Sequence, residues 1–225
     1  MKKLLSMSNI KKSYAIGDNN VSVLKGIDLD INYGEFISIV GSSGSGKTTL
    51  MNIIGCLDTP TSGEYILEED PVSDMNENKL CIVRNKTIGF VFQSFNLIPT
   101  LNALENVELP LLYRNISKDV RRKIAKKALE QVGLADRIYH KPCELSGGQQ
   151  QRVSISRAIV GNPAIILADE PTGNLDSTSS IAILELIESL RNEKKSIILI
   201  THDSSIASKS DKIIKIRDGR IDNIK

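Results

Sequence analysis

Short apolar runs separated by segments of helical spacing set the first expectation. Phe36 to Val40, Ile88 to Phe92, Ala164 to Ala168 and Ser196 to Ile200 are β-rich and nearly continuous in hydrophobic residues. That is the pattern of strands buried on both faces. Their alternation with helical segments predicts an α/β fold around a mainly parallel sheet. From Ser117 to Gly133, Val120, Ile124, Ala128 and Val132 are spaced to share one helix face, with Ser117 as N-cap and Gly133 as stop. A further helix is expected after Ser146, through Val153, Ile155, Ala158 and Ile159, ended by Gly161-Asn162-Pro163. The last strands are expected at Ile213 to Ile216 and around Ile221.

Composition narrows the class. The 225 residues are 40% hydrophobic and 25% charged, as in ordinary globular proteins, and suffice for one full core. With 29 Lys+Arg against 27 Asp+Glu the net charge is +2, which argues against nucleic acid as a partner. No apolar run approaches the roughly 18 residues of a membrane span, and Ser8, Asn9, Lys11 and Lys12 interrupt the start before a signal-peptide core forms. A cytoplasmic chain is expected. Cys56, Cys81 and Cys143 lack metal-ligand spacing and read as reduced thiols. Arg121, Arg122, Lys123, Lys126 and Lys127 fit a solvated helix face or a surface for anionic lipid, and the sequence assigns them no function.

The run Gly41-Ser42-Ser43-Gly44-Ser45-Gly46-Lys47-Thr48 matches the phosphate-loop pattern and lies where it belongs, between a strand and a helix beginning through Thr49. Glycines let consecutive N–H groups turn toward phosphate oxygens, and the helix N-terminus adds partial positive charge. Lys47 is expected on the β- and γ-phosphates of ATP and the Thr48 hydroxyl on Mg²⁺. A second apolar strand ends in Asp169-Glu170, which suits Asp169 to Mg²⁺ and Glu170 to the attacking water. Read alone, Glu170 could also be an exposed acid before Pro171.

Leu145-Ser146-Gly147-Gly148-Gln149-Gln150-Gln151-Arg152 resembles the signature sequence of ATP-binding cassette ATPases. Ser146 is a good N-cap, and two glycines leave the helix N-terminus bare, as an anion site requires. The resemblance implies a phosphate-loop NTPase core with a small antiparallel β subdomain and an inserted helical subdomain, roughly residues 93–160 of one nucleotide-binding domain, 1–225. It implies a head-to-tail homodimer in which Ser146, Gly147, Gly148 and Gln149 act on the partner's ATP. Gln93 resembles the glutamine that joins Mg²⁺ and water to a membrane partner. Gly173-Asn174-Leu175-Asp176 resembles the dimer-interface loop, and His202 the switch histidine at the γ-phosphate. Tyr14 resembles the ring that stacks on adenine. The antiparallel subdomain is expected between Glu68 and Asn85.

Narrower phrases, Asn52-Ile-Ile-Gly-Cys-Leu-Asp58, Phe92-Gln-Ser-Phe-Asn-Leu-Ile-Pro-Thr100 and Leu104-Glu-Asn-Val-Glu-Leu-Pro110, resemble the bacterial subgroup serving macrolide and antimicrobial-peptide export, lipoprotein release and cell division. The resemblance implies an integral-membrane permease as partner and a peripheral position on the inner face of the cell membrane. Phe95 to Leu101 is expected either at the groove for that permease or in ordinary core packing. Soluble repair, chromosome and translation ATPases of the same family carry coiled-coil insertions or two cassettes, which this chain lacks, and a nutrient-importer subunit fits the narrower phrases less well.

Overall fold

The computed structural model describes residues 2–17, 19–193 and 195–224. Along the chain run β1 (Lys3–Ile16), β2 (Asn19–Asn32), β3 (Phe36–Val40), α1 (Lys47–Ile54), β4 (Ser62–Leu67), β5 (Asp70–Pro71), α2 (Glu77–Thr87), β6 (Ile88–Phe92), α3 (Ala103–Tyr113) and α4 (Lys118–Gln131). Then follow α5 (Gly147–Ile159), β7 (Ile165–Asp169), α6 (Ser177–Ser189), β8 (Ser196–Ile200), α7 (Ser204–Ala207), β9 (Lys212–Arg217) and β10 (Arg220–Ile224). The chain divides into two compact units, residues 1–84 with 196–225, and residues 85–195.

The first unit holds two sheets. One is antiparallel, in the order β2-β1-β4-β5. Along β2, Leu24, Ile27, Leu29 and Ile31 are buried, with Asp28 and Asp30 exposed between them. That is the alternation of a half-buried strand. The sheet therefore lies mainly in residues 3–32 and 62–71, not between Glu68 and Asn85, where only β5, one 3-10 turn and α2 occur. In the other sheet β3 lies parallel between β8 and β9, and β10 returns antiparallel on β9. Ile37, Ile39, Ile197, Leu199 and Ile200 are essentially inaccessible, which explains why these strands are hydrophobic throughout.

In the second unit β6 and β7 pair in parallel, and α3, α4 and α5 pack together. The stripe expected on α4 is only partly right. Ala125, Ala128, Leu129 and Val132 are buried, whereas Val120 is 50% and Ile124 36% exposed. A strict four-residue spacing advances about 40° per step on a helix of 3.6 residues per turn, so its early members rotate out of the core. Gly133, at φ +74°, ends this helix region with Leu134 N–H donating to Leu129 O.

Candidate functional site

In the first unit, β3 delivers the chain into the loop 41–46 and α1 carries it away. Gly46 is the N-cap of α1 at φ +106°, and a side chain there would strike Leu24. Gly44 also has positive φ, but a Cβ on it would meet nothing within 4 Å. The loop is thus packed from behind at Gly46 and open at Gly44, the shape of a cradle for phosphate. Lys47 Nζ donates to Gly41 O at 2.9 Å and Ser42 O at 2.8 Å, so the ammonium lies over its own loop. The buried Ser45 hydroxyl has no hydrogen-bond partner among the described residues. Ser43 is exposed, and Thr48 and Thr49 lie in the first turn of α1.

His202 is exposed two residues beyond β8. The register Ile39↔Ile200 and the bond from Thr201 N–H to Ile39 O place it at the same strand end as the loop. Its neighbour Asp203 has a lowered pKa, chiefly because the Ser205 hydroxyl and N–H donate to it, with His202 adding a favourable charge.

Tyr14 is more constrained than a freely stacking ring. Its hydroxyl donates to Asp58 Oδ2 at 2.7 Å, and Lys12 Nζ lies 4.8 Å from the ring centroid. Lys12 in turn donates to Asp58 Oδ1 and to Thr59 O. Burial raises the tyrosine pKa, and its hydrogen bond to Asp58 raises it further.

In the second unit the register Phe92↔Asp169 aligns the ends of β6 and β7. Gln93 and Glu170 are the residues that follow, so parallel pairing brings the two together. Glu170 sits at φ +42°, and its carbonyl accepts from Gly173 N–H at 3.0 Å. Such a conformation is uncommon without glycine and is held here by its surroundings. Gln93 Nε2 reaches Asn174 Oδ1 at 3.4 Å, and Asn174 Nδ2 donates to Gln93 O at 3.1 Å. Asp176 caps α6, accepting from Ser179 N–H and Oγ–H, which lowers its pKa.

Ser146 caps α5. Its hydroxyl accepts from Gln149 N–H at 3.3 Å while its own N–H donates to Gln149 Oε1 at 3.0 Å, a capping box. That box occupies the third N–H of the helix and leaves those of Gly147 and Gly148 outside the pair. A Cβ on Gly147 would lie 3.3 Å from Leu175 and 3.7 Å from the Phe95 ring.

Three contributors were missed. Arg157 Nη1 and Nη2 donate to Asn96 O and Phe95 O, at 2.6 and 3.0 Å, where both residues have positive φ. Burial lowers the Arg157 pKa. Gln151 bonds to the backbone beside Gln93 and Glu170. Asn106, fully buried, exchanges two bonds with Ile98 and donates to Leu101 O. These are side-chain to backbone contacts, 20 to 62 residues apart for Gln151 and Arg157 and up to eight for Asn106, and they carry no motif in the sequence.

The comparisons with known proteins bear on both units. The family model described as ABC transporter matches residues 24–173. The chain is 54% identical over 218 residues to the ABC transporter ATP-binding protein YknY of Bacillus subtilis (strain 168), covering 97% of this chain and 95% of that one. It is 52% identical to the macrolide export ATP-binding/permease protein MacB of Brucella melitensis biotype 1, with 97% of this chain matched to 34% of that protein. The dimeric structure of a post-hydrolysis state of the ATP-binding cassette MJ0796, bound to ADP and Pi, superposes with a TM-score of 0.90 at 45% identity. It covers 98% of this chain and 97% of that one.

Proposed function

Since the chain belongs to the ABC transporter ATPase family, we propose that it works as one of a pair of ATP-hydrolysing subunits that drive a separate membrane permease of the export type. ATP hydrolysis is its reaction. The observation that carries the pairing is the bare N-terminus of α5: Ser146 and Gln149 cap each other, and the N–H groups of Gly147 and Gly148 stand outside that box. A helix end of this kind suits an anion, and the chain already has a phosphate loop of its own. The second seat therefore serves the ATP of a second copy, and two-fold symmetry makes the exchange reciprocal. The MJ0796 cassette, similar along nearly its whole length, is itself dimeric.

The roles follow from chemistry. Lys47 exchanges its loop carbonyls for the β- and γ-phosphates of ATP. Glu170 orients or deprotonates water, with Gln93 and His202 helping to place it. Tyr14 meets adenine with its ring held by Lys12 and Asp58. Asp176 lies on the interface loop. Bound Mg²⁺ would neutralise developing phosphate charge. Thr48, Gln93 and Asp169 carry oxygen donors of the kind such an ion takes, and the family resemblance assigns them to it.

The export reading rests on the likeness to MacB, a protein named for both ATP-binding and permease activity, of which this chain spans about a third. Macrolides or antimicrobial peptides are the proposed cargo class, and lipoprotein release or cell-division work is the alternative within the same subgroup. No helix among the described residues is long and apolar enough to cross a membrane; the proposed place of the chain is at the inner face, held by the permease that the family resemblance implies. Affinity purification of the tagged chain from solubilised membranes tests this. Recovery of a four-helix permease with a large outer domain is expected; a ten-helix permease points to peptide sensing and detoxification, and recovery of none returns the chain to a soluble role.

A further inference from the structure

Gln151, on the second turn of α5, is fully buried. Its Nε2 donates to Phe92 O at 3.2 Å and to Pro171 O at 2.5 Å. Both partners are carbonyls, which only accept, so the amide nitrogen must face them. The amide oxygen is thereby turned to a place where it has no hydrogen-bond partner among the described residues. An unsatisfied buried polar atom costs stability, and an apolar side chain of the same length would fill the space without that cost.

The two carbonyls are not arbitrary. Phe92 is the last residue of β6 and precedes Gln93; Pro171 follows Glu170, whose backbone is held at φ +42°. One amide group therefore ties the two turns that leave adjacent parallel strands, each carrying a residue assigned to the attacking water.

We propose that Gln151 is a positioning residue for hydrolysis, an amide strut that fixes the spacing of the Gln93 and Glu170 turns so that both address the same water. The assignment rests on Glu170 being the residue that orients water. Gln151 does not touch ATP; it acts through backbone. Placed in α5, it also makes the aim of Gln93 and Glu170 depend on the helix that Ser146 caps.

Gln151→Met keeps length and volume but cannot donate. Steady-state ATP hydrolysis by the full chain is expected to fall at least tenfold in kcat with KM for ATP within threefold of wild type. In a Glu170→Gln background, ATP-driven dimerisation is expected to persist with and without Gln151→Met, because assembly needs no aimed water. Gln151→Ser, small enough to admit bridging water, guards against misfolding of the methionine variant and is expected to show the same kcat-only loss. Wild-type kcat in either variant overturns the proposal. So does loss of ATP-driven dimerisation in parallel with kcat, or failure of both variants to fold, since either makes the amide a structural strut alone. Wild-type hydrolysis by Glu170→Gln itself sinks the underlying reading separately, whatever Gln151 does.

Discussion

Arg157 donates to the carbonyl oxygen of Phe95 at 3.0 Å, while the Phe95 ring lies 3.7 Å from where a side chain on Gly147 would begin. One residue of the loop after β6 thus touches α5 at both ends. Arg157→Met removes two charge-assisted bonds to a backbone pair in the left-handed region and is expected to cost about 2–4 kcal/mol. Urea unfolding checks this, with Lys expected to recover part of the loss. An unchanged midpoint would mean that the loop holds itself.

Lys47→Ala is expected to weaken ATP binding by about two orders of magnitude, roughly 3 kcal/mol, because the largest fixed charge of the loop goes. Among the described residues Lys47 donates to carbonyls of its own loop, so the thermal midpoint without nucleotide is expected to stay within a few degrees. Titration with a fluorescent ATP analogue and a melting curve measure the two effects separately.

Asp58 gives the first unit an acid-sensitive lock. Burial alone would push its carboxyl up, but donation from Lys12, Tyr14 and the Thr59 N–H outweighs it, and the pKa is lowered. A carboxylate with a depressed folded pKa contributes stability that is present above its unfolded value near ~4 and is lost as pH falls through the folded value. Stability is expected to decline below about pH 4, with a shallower decline in Asp58→Asn, as read by urea midpoints across pH.

Ile98 is 41% exposed while Asn106 fixes its backbone from within. Of the two expectations for Phe95 to Leu101, this exposure favours a docking surface over core packing at Ile98. Ile98→Glu is expected to abolish co-purification of the permease and leave the thermal midpoint of the isolated chain unchanged. Retained permease would remove this segment from the interface.

The contiguous motifs were legible because their physics is local. A phosphate loop needs its glycines and lysine within eight positions, and Ser146 reads as an N-cap by its residue type, while its reciprocal bonding with Gln149 is seen in the structure. β1 was not legible, since its pairing shifts register several times and breaks the simple alternation, whereas β2 alternates strictly only from Ile27 to Ile31, a short stretch of a 14-residue strand. Tyr14 was legible as a ring, but its lock on Asp58, 44 residues away, was not. Gln151 and Arg157 read as ordinary helix residues, because what gives them meaning is backbone 20 to 62 residues distant.

Pairing through ATP is the central claim, and sedimentation of the Glu170→Gln variant with and without ATP tests it most directly. The account predicts a species of twice 24.7 kDa only when ATP is present, returned to the single-chain mass when Ser146→Arg is added. A Glu170→Gln chain that binds ATP yet stays at the single-chain mass, or a dimer indifferent to Ser146→Arg, would contradict it.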